Sequence, residues 1–191
     1  MNNKRKTVIL IKGKARVGKD TFAVMLNTQF RLLSSFESEI FPNAKAVKEL
    51  ARDFYNWNGE KDTRGRKLLI DITNTGYAYS KYFWEEKNKL NDYTGDICIV
   101  PDFRWINTYK YFKENKDKYN VITIKLLGDR RESVSKSIDT DPSEGEMDLD
   151  FDYEVINDGS FKELQDMSRD IAISIIGGMW NVSSNLYKER F

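Results

Sequence analysis

Near the amino end, a short apolar segment leads directly into a loop with a glycine at each end. The apolar segment is 8–11, and the loop runs from Gly13 to Gly18 with Lys19 directly after it. Two glycines that bracket four residues and precede a lysine have the spacing of a phosphate-binding P-loop. Helical periodicity begins directly after the loop, carried by Phe22, Met25, Leu26, Phe30 and Leu33. A strand, a glycine loop and a helix in this order predict a nucleotide-binding turn.

The residue types of the loop suit a polyphosphate. Glycines let the backbone curl, so that successive N–H groups point inward at phosphate oxygens. The helix dipole adds positive potential, and the Lys19 ammonium can reach the β- and γ-phosphates. The generic motif ends in Ser or Thr, but here the position is Asp20, followed by Thr21. A carboxylate is also a good Mg²⁺ ligand, directly or through water. The alternative is a strand-to-helix turn that binds nothing.

The composition excludes several classes of function. Among the 191 residues, Lys and Arg number 31 and Asp and Glu number 30, so a broad basic surface for nucleic acid is absent, although a local basic cleft is compatible with these numbers. The chain has no histidine, which excludes His triads, His metal sites and imidazole bases. The single cysteine, Cys98, cannot form an internal disulfide. With no apolar run of membrane-spanning length and no signal-peptide pattern, we expect a cytoplasmic protein that has no membrane partner.

Strand-like and helix-like segments alternate along the chain. The strand candidates are 7–12, 36–41, 96–102, 121–127 and 153–156. Such alternation predicts an α/β fold with a parallel five-stranded sheet and helices on both faces. Because ligands of these folds bind at the carboxyl ends of strands, one cleft can gather the Gly13 loop, Asp102, Arg130 and Asn157.

Glycines and charges predict where the helical segments end. We expect helices from Ala44 to the Asn58-Gly59 pair and over 62–90, the latter interrupted near Thr75-Gly76. The last helix should end at Gly177-Gly178. Residues 137–152 are polar and acidic, which is typical of a mobile excursion with little core of its own.

Several short blocks occur in an order that is characteristic of one family. They are Gly18-Lys19-Asp20-Thr21, Lys48-Glu49, Arg64-Gly65-Arg66-Lys67, Val100-Pro101-Asp102-Phe103-Arg104, Ser143-Glu144 and Val155-Ile156-Asn157-Asp158-Gly159-Ser160. With these blocks in this order, the chain resembles the deoxynucleoside monophosphate kinases of the bacteriophage type, a branch of the P-loop nucleotide kinases. The aspartate after the P-loop lysine is a feature of that family.

The resemblance implies a fold and a reaction. The fold would be the three-layer P-loop nucleoside/nucleotide kinase fold, with residues 1–191 in a single domain, an acceptor-binding helical region at about 44–90 and a lid-like segment at about 129–152. The reaction would be phosphoryl transfer from ATP, with Mg²⁺, to a deoxynucleoside monophosphate, giving the diphosphate.

The resemblance also implies roles for individual residues. The ATP-binding residues would be Gly13, Lys14, Ala15, Arg16, Val17, Gly18, Lys19, Asp20, Thr21, Asn157, Gly159 and Ser160. The catalytic residues would be Lys19, Arg104, Arg130 and Arg131. The acceptor-binding residues would be Lys48, Arg66, Asp102 and Arg104, and Mg²⁺ would be positioned by Asp20 and Asp102.

The sequence leaves other functions open. The same fold could phosphorylate another small phosphorylated metabolite or a nucleic-acid 5′ end, although the near-neutral charge favours a small acceptor. A nucleotide-binding regulatory module is a third hypothesis, but it would not need the arginines beyond the P-loop. The sequence does not indicate which bases are accepted or whether the protein forms a homodimer.

Overall fold

A parallel sheet forms the centre of the protein. The computed structural model describes residues 5–128 and 147–188. Within them lie five strands, namely β1 (Lys6–Lys12), β2 (Ser38–Ile40), β3 (Ile97–Val100), β4 (Tyr119–Leu127) and β5 (Tyr153–Ile156). They are arranged in the order β2-β3-β1-β4-β5, and every neighbouring pair is parallel. β1 lies in the middle because its residues Val8, Ile9, Leu10 and Ile11 are apolar on both faces and fully buried.

Helices cover both faces of the sheet. They are α1 (Lys19–Leu33), α2 (Lys45–Tyr55), α3 (Thr63–Tyr79), α4 (Phe83–Lys87), α5 (Ile106–Glu114) and α6 (Phe161–Lys188), with a 3₁₀ turn at Lys89–Asp92. On one face, Ile9 and Ile11 pack with α1 and α6. On the other face, Val8 and Leu10 pack with Phe103 and with Phe112 of α5. The three-layer α/β architecture predicted from the sequence is therefore confirmed.

A third apolar cluster lies among α2, α3 and α4. Its buried members are Val47, Ala51, Ile72 and Trp84. This cluster holds together the helical region to which the resemblance assigns acceptor binding.

The predicted interruption near Thr75-Gly76 is wrong, because α3 runs through both residues and ends at Tyr79. Gly76 does not end the helix. It is needed because the Trp84 ring packs closely against α3 at this position. A Cβ at this position would lie 2.8 Å from Cζ2 of the Trp84 indole. The same indole donates a hydrogen bond from Nε1 to the Thr73 carbonyl at 2.9 Å. The glycine therefore makes room for the ring that links α3 to α4.

The predicted helix end at Gly177-Gly178 is also wrong, because α6 continues to Lys188. Neither glycine has the positive φ of a left-handed C-cap. Helical glycine costs only about 1 kcal/mol relative to alanine. The buried residues Ile171 and Ile175 anchor the preceding turns, so the helix tolerates this cost.

The end of the acidic segment is part of the core. Met147, Leu149 and Phe151 pack against the cluster around Phe112. The Asp152 carboxylate accepts hydrogen bonds from the Thr123 backbone N–H at 2.7 Å and from its hydroxyl at 2.8 Å. The expectation of an excursion with little core is therefore wrong for residues 147–152.

Some of the predicted features lie outside the described residues. Residues 129–146 contain Arg130, Arg131, the Ser143-Glu144 block and most of the proposed lid, and all of these fall outside the part of the chain that the structure describes. Within the described ranges, no helix has the length and apolar character needed to span a membrane.

Candidate active site

The loop after β1 has the curled backbone that phosphate binding requires. Arg16 has a φ of 65° and Gly18 has a φ of 98°, so the chain turns through two left-handed positions before α1 begins. A turn of this kind brings neighbouring N–H groups to one side of the loop. Gly18 is the N-cap of α1 and offers no side chain to the first turn. The start of α1 is thus open to an anion.

Lys19 lies across this loop. Its ammonium donates hydrogen bonds to the carbonyls of Gly13 and Lys14, both at 2.7 Å. Asp20 follows in the first turn of α1 and is exposed. The loop therefore combines backbone donors, a lysine charge and a carboxylate, which are the groups predicted for a polyphosphate site.

Asn157 fastens the loop to the neighbouring part of the sheet. Its backbone N–H donates to the Leu127 carbonyl at 2.6 Å, and its side-chain Nδ2 donates to the Val17 carbonyl at 2.8 Å. The side chain is buried, and its Oδ1 has no hydrogen-bond partner among the described atoms. Asn157 therefore positions the P-loop, and its predicted contact with ATP stays a prediction.

Ser160 has a structural role that the sequence analysis missed. Its hydroxyl accepts a hydrogen bond from the Glu163 N–H at 3.2 Å, and the Glu163 carboxylate accepts one from the Ser160 N–H. This reciprocal pair is a capping box at the start of α6. The Ser-x-x-Glu spacing in front of an amphipathic helix is the signal that could have revealed it.

We expect Asn157→Ala to loosen the P-loop. The change removes the bond to the Val17 carbonyl, so the free energy of unfolding should fall by about 1–2 kcal/mol. The KM for ATP should rise several-fold, whereas the KM for the acceptor should stay the same. Urea denaturation and steady-state kinetics measure these effects. The control is Asn120→Ala, which changes an exposed residue. An Asn157→Ala variant with wild-type stability and ATP KM would contradict the positioning role.

Asp102 joins the end of β3 to the start of α2. Its Oδ1 accepts a hydrogen bond from the Asn43 N–H at 2.6 Å, and its Oδ2 accepts one from the Ala44 N–H at 2.9 Å. Ala44 is the N-cap of α2, where a negative charge is favourable. Each oxygen keeps a further lone pair, so the predicted metal and acceptor roles stay predictions. The observed bonds show that Asp102 orients α2.

A buried polar network supports the same corner of the fold. Glu85 accepts hydrogen bonds at Oε1 from the Tyr77 hydroxyl at 2.8 Å and from the Thr108 hydroxyl at 2.7 Å. The Thr108 hydroxyl in turn accepts from Asn43 Nδ2 at 3.0 Å. Burial raises the pKa of Tyr77, and the negative charge of Glu85 raises it further, so the phenol remains a hydrogen-bond donor. The network connects α3, α4 and α5 to the segment that Asp102 holds.

Arg104 lies close to the end of β1. The Phe103 N–H donates to the Ile11 carbonyl at 3.3 Å, and the Phe103 ring is buried in the core. These contacts fix the chain directly before Arg104 next to the strand that leads into the P-loop. The predicted role of Arg104 at the acceptor phosphate stays a prediction.

Several charged groups influence Lys61, the residue that precedes Asp62. Burial lowers the pKa of Lys61, and repulsion by Lys48, Arg104 and Arg66 lowers it further, whereas attraction by Asp20 acts in the opposite direction. The Lys61 ammonium is therefore within electrostatic range of all three predicted acceptor-side cations and of the Asp20 carboxylate. Lys48, Arg66 and Arg104 each act on the charge of Lys61, and their predicted role at an acceptor site stays a prediction.

The sequence analysis assigned no role to Lys61. This lysine directly precedes Asp62, which caps α3 by accepting a hydrogen bond from the Gly65 N–H. A cation at the start of a helix opposes the helix dipole, so helix stability does not account for its place.

Comparisons with known proteins yield distant structural likenesses. No protein-family model matches the sequence. No curated protein matches it either. One similar solved structure is a mutant of the Mycobacterium tuberculosis APS kinase CysC, with 12% identity, 87% of this chain and 96% of that chain covered, and a TM-score of 0.49. Another is the same kinase in complex with AMPPNP and APS. It has 10% identity and a TM-score of 0.49, and the match covers 91% of this chain and 98% of that chain. Likeness at this level identifies no family, and the fold assignment rests on the sheet order and the P-loop.

The carboxylates near the loop suit a metal that is shared with a substrate. Within residues 5–128 and 147–188, no group of three or more acidic or cysteine side chains could hold a metal ion. Magnesium in phosphate-transferring sites is commonly bound by one or two carboxylates together with substrate phosphates. Asp20, exposed beside Lys19, fits such a site.

Proposed function

We propose that this protein is a kinase that transfers the γ-phosphoryl group of ATP to a deoxynucleoside monophosphate. The observation that carries the proposal is the loop after β1, whose backbone curls at Arg16 and Gly18 and across which Lys19 donates hydrogen bonds to the Gly13 and Lys14 carbonyls. Phosphoryl transfer requires two anionic substrates side by side and cations around the transferred group. The basic residues Lys48, Arg66 and Arg104 would offer the second phosphate site that a simple nucleotide-binding module would not need.

ATP would bind along the curled loop. The residues Gly13, Lys14, Ala15, Arg16, Val17 and Gly18 would surround its phosphates, and Lys19 would follow the transferred group. Asp20, with Asp102, would position Mg²⁺, and Thr21 is a weaker candidate. When bound, Mg²⁺ would neutralise charge on the β- and γ-phosphate oxygens. Asn157, Gly159 and Ser160 would lie near the donor base.

The acceptor phosphate would bind among the side chains of Lys48, Arg66 and Arg104. Arg104 would hold it through two parallel hydrogen bonds, the geometry in which guanidinium groups grip phosphate. Lys48 and Arg66 would add charge, and Arg130 and Arg131 would close over the donor phosphates. The Asp102 bonds to Asn43 and Ala44 support this assignment, because they keep α2, which carries Lys48, beside Arg104.

An acceptor panel tests the proposal. ADP release is measured with ATP and Mg²⁺ in the presence of each deoxynucleoside monophosphate, its ribonucleotide counterpart, or a non-nucleotide phosphate monoester. We expect at least one deoxynucleotide to stimulate turnover by about 10-fold or more over the hydrolysis rate, because a correctly positioned acceptor replaces water. Stimulation by a non-nucleotide monoester alone would favour a metabolite kinase. Slow hydrolysis that no acceptor changes would contradict the proposal and favour the regulatory module.

A further inference from the structure

Asn43 lies in the loop between β2 and α2, and both ends of its side-chain amide are hydrogen-bonded. Its Nδ2 donates to the Thr108 hydroxyl at 3.0 Å, and its Oδ1 accepts from Asn88 Nδ2 at 3.1 Å. Its backbone N–H donates to Asp102 Oδ1 at 2.6 Å. Asn43 thus connects the segment that Asp102 holds to α5 and to the residue that follows α4.

Thr108 is the buried link of this network. It is fully buried, and Glu85 is only 1% exposed. The Thr108 hydroxyl donates to Glu85 Oε1 at 2.7 Å while it accepts from Asn43. A hydroxyl that donates to one group and accepts from another orients both of them. A buried carboxylate costs more free energy than a well-packed apolar side chain would, so the geometry that Glu85 fixes accounts for its presence better than stability does.

The start of α2 depends on the residues that this network holds. Ala44, the N-cap of α2, has no polar side chain, and its N–H donates to Asp102 Oδ2 at 2.9 Å. The Ala44 carbonyl accepts from the Lys48 N–H at 3.0 Å. The backbone of Lys48 is therefore bonded directly to a residue that Asp102 holds and that follows Asn43 in the chain. A shift of Asn43 would displace the first turn of α2 relative to Asp102.

We infer that Thr108 is a positioning residue of the proposed acceptor site. It holds the side chain of Asn43, and thereby the first turn of α2, in a fixed position relative to Asp102. The substrate that this affects is the phosphate monoester acceptor, to which the proposal assigns Lys48 and Asp102. The inference rests on the proposed function and deepens it, since it names a buried residue of α5 that sets the geometry of the acceptor side.

The test compares Thr108→Val with Tyr77→Phe. Thr108→Val replaces the hydroxyl by a methyl group of similar size and cuts the path between Glu85 and Asn43. Tyr77→Phe is the matched control, because it removes the other hydroxyl that donates to Glu85 Oε1, at 2.8 Å, and leaves both bonds of Thr108 in place. Each variant leaves the buried carboxylate with one donor fewer, so both should lower the midpoint of urea unfolding.

Only Thr108→Val should weaken acceptor binding. We expect its acceptor KM to rise by about 3- to 30-fold, the usual range for changes along a coupled network. The ATP KM should change by less than about 2-fold, because Asn157, which fastens the P-loop, follows β5 on the other side of β1 in the sheet order. Thr108→Ser keeps the hydroxyl and should recover most of the affinity. Tyr77→Phe should retain the acceptor KM of the wild type.

Amide hydrogen exchange separates this inference from the proposed function. It requires no turnover, and the N–H groups of Asn43 and Ala44 report directly on the bonds to Asp102. We expect both groups to exchange about 10-fold faster in Thr108→Val than in Tyr77→Phe. If no acceptor stimulates wild-type turnover, the kinase proposal fails, and the exchange rates still decide whether Thr108 holds this segment.

Asn88→Ala is a second variant on the same path. It removes the other bond to the Asn43 side chain from a half-buried position, so it leaves the core filled. We expect faster exchange of the same two N–H groups and a smaller rise in acceptor KM than in Thr108→Val. Equal exchange rates in Thr108→Val and Tyr77→Phe, or an acceptor KM that rises as much in Tyr77→Phe as in Thr108→Val, would overturn the inference.

Discussion

Replacing Lys19 with alanine is expected to abolish turnover and to leave the fold intact. In the proposed kinase, the ammonium would supply positive charge where negative charge develops during transfer, and removal of one such group typically costs about 10²- to 10³-fold in kcat. The hydrogen bonds that Lys19 makes go to the carbonyls of Gly13 and Lys14, which belong to the loop and not to the core. Initial rates at saturating ATP and acceptor, together with thermal denaturation, measure the two effects.

Two further variants control this experiment. Lys19→Met keeps most of the aliphatic stem and should be as inactive as the alanine variant, because the charge is what is lost. Lys116→Ala removes an exposed lysine in the turn between α5 and β4 and should retain wild-type rates. Substantial activity in Lys19→Ala would show that the assigned role of this lysine is wrong.

Replacing Arg104 with alanine should produce the second large effect, this time on the acceptor. A guanidinium that grips phosphate through two bonds contributes both charge and orientation, so kcat/KM for the acceptor should fall by about 10²- to 10³-fold. The ATP KM should remain close to that of the wild type. Arg104→Lys should recover only a part of the loss, because an ammonium cannot form the same pair of parallel bonds. Steady-state kinetics with each substrate varied in turn measure this split.

Arg169→Ala is the matched control, since this arginine is exposed on α6. It should leave both KM values unchanged. If Arg104→Ala instead raised only the ATP KM, Arg104 would serve the donor, and the division of the cleft into donor and acceptor halves would be incorrect.

Most of the fold could be predicted because local signals agree with the tertiary structure. The segments around Ile9, Ile99 and Ile124 are apolar on both faces, which is typical of buried parallel strands, and each one is a strand of the sheet. Two of the errors concern glycines inside helices. Gly76 leaves room for the Trp84 ring, and such a contact between separate helices has no local signature. Gly177 and Gly178 were interpreted from helix propensity alone, which packing of the neighbouring turns overrides.

At the candidate site, the curl of the P-loop could be predicted from the sequence, but the contacts between separate elements could not. Lys19 and Asp20 belong to a motif whose geometry is encoded by consecutive residues, so spacing was sufficient. The environment of Lys61 depends on Lys48, Arg66 and Arg104, which come from separate elements. The hydrogen bonds of Asp102 to Asn43 and Ala44 likewise join residues far apart in the chain. Such contacts arise only when the sheet is assembled.

The strand order has a consequence for how the protein reaches its native state. β1 is made first, yet its two neighbours come much later, since Thr7 pairs with Ile97 and Val8 with Val121. Chains dominated by such distant pairings close large loops before they gain contacts, and they fold slowly for that reason. During synthesis, β1 gains its second neighbouring strand only after β4 has left the ribosome. A truncated chain that ends before β4 should therefore leave one edge of β1 unpaired and be prone to aggregate.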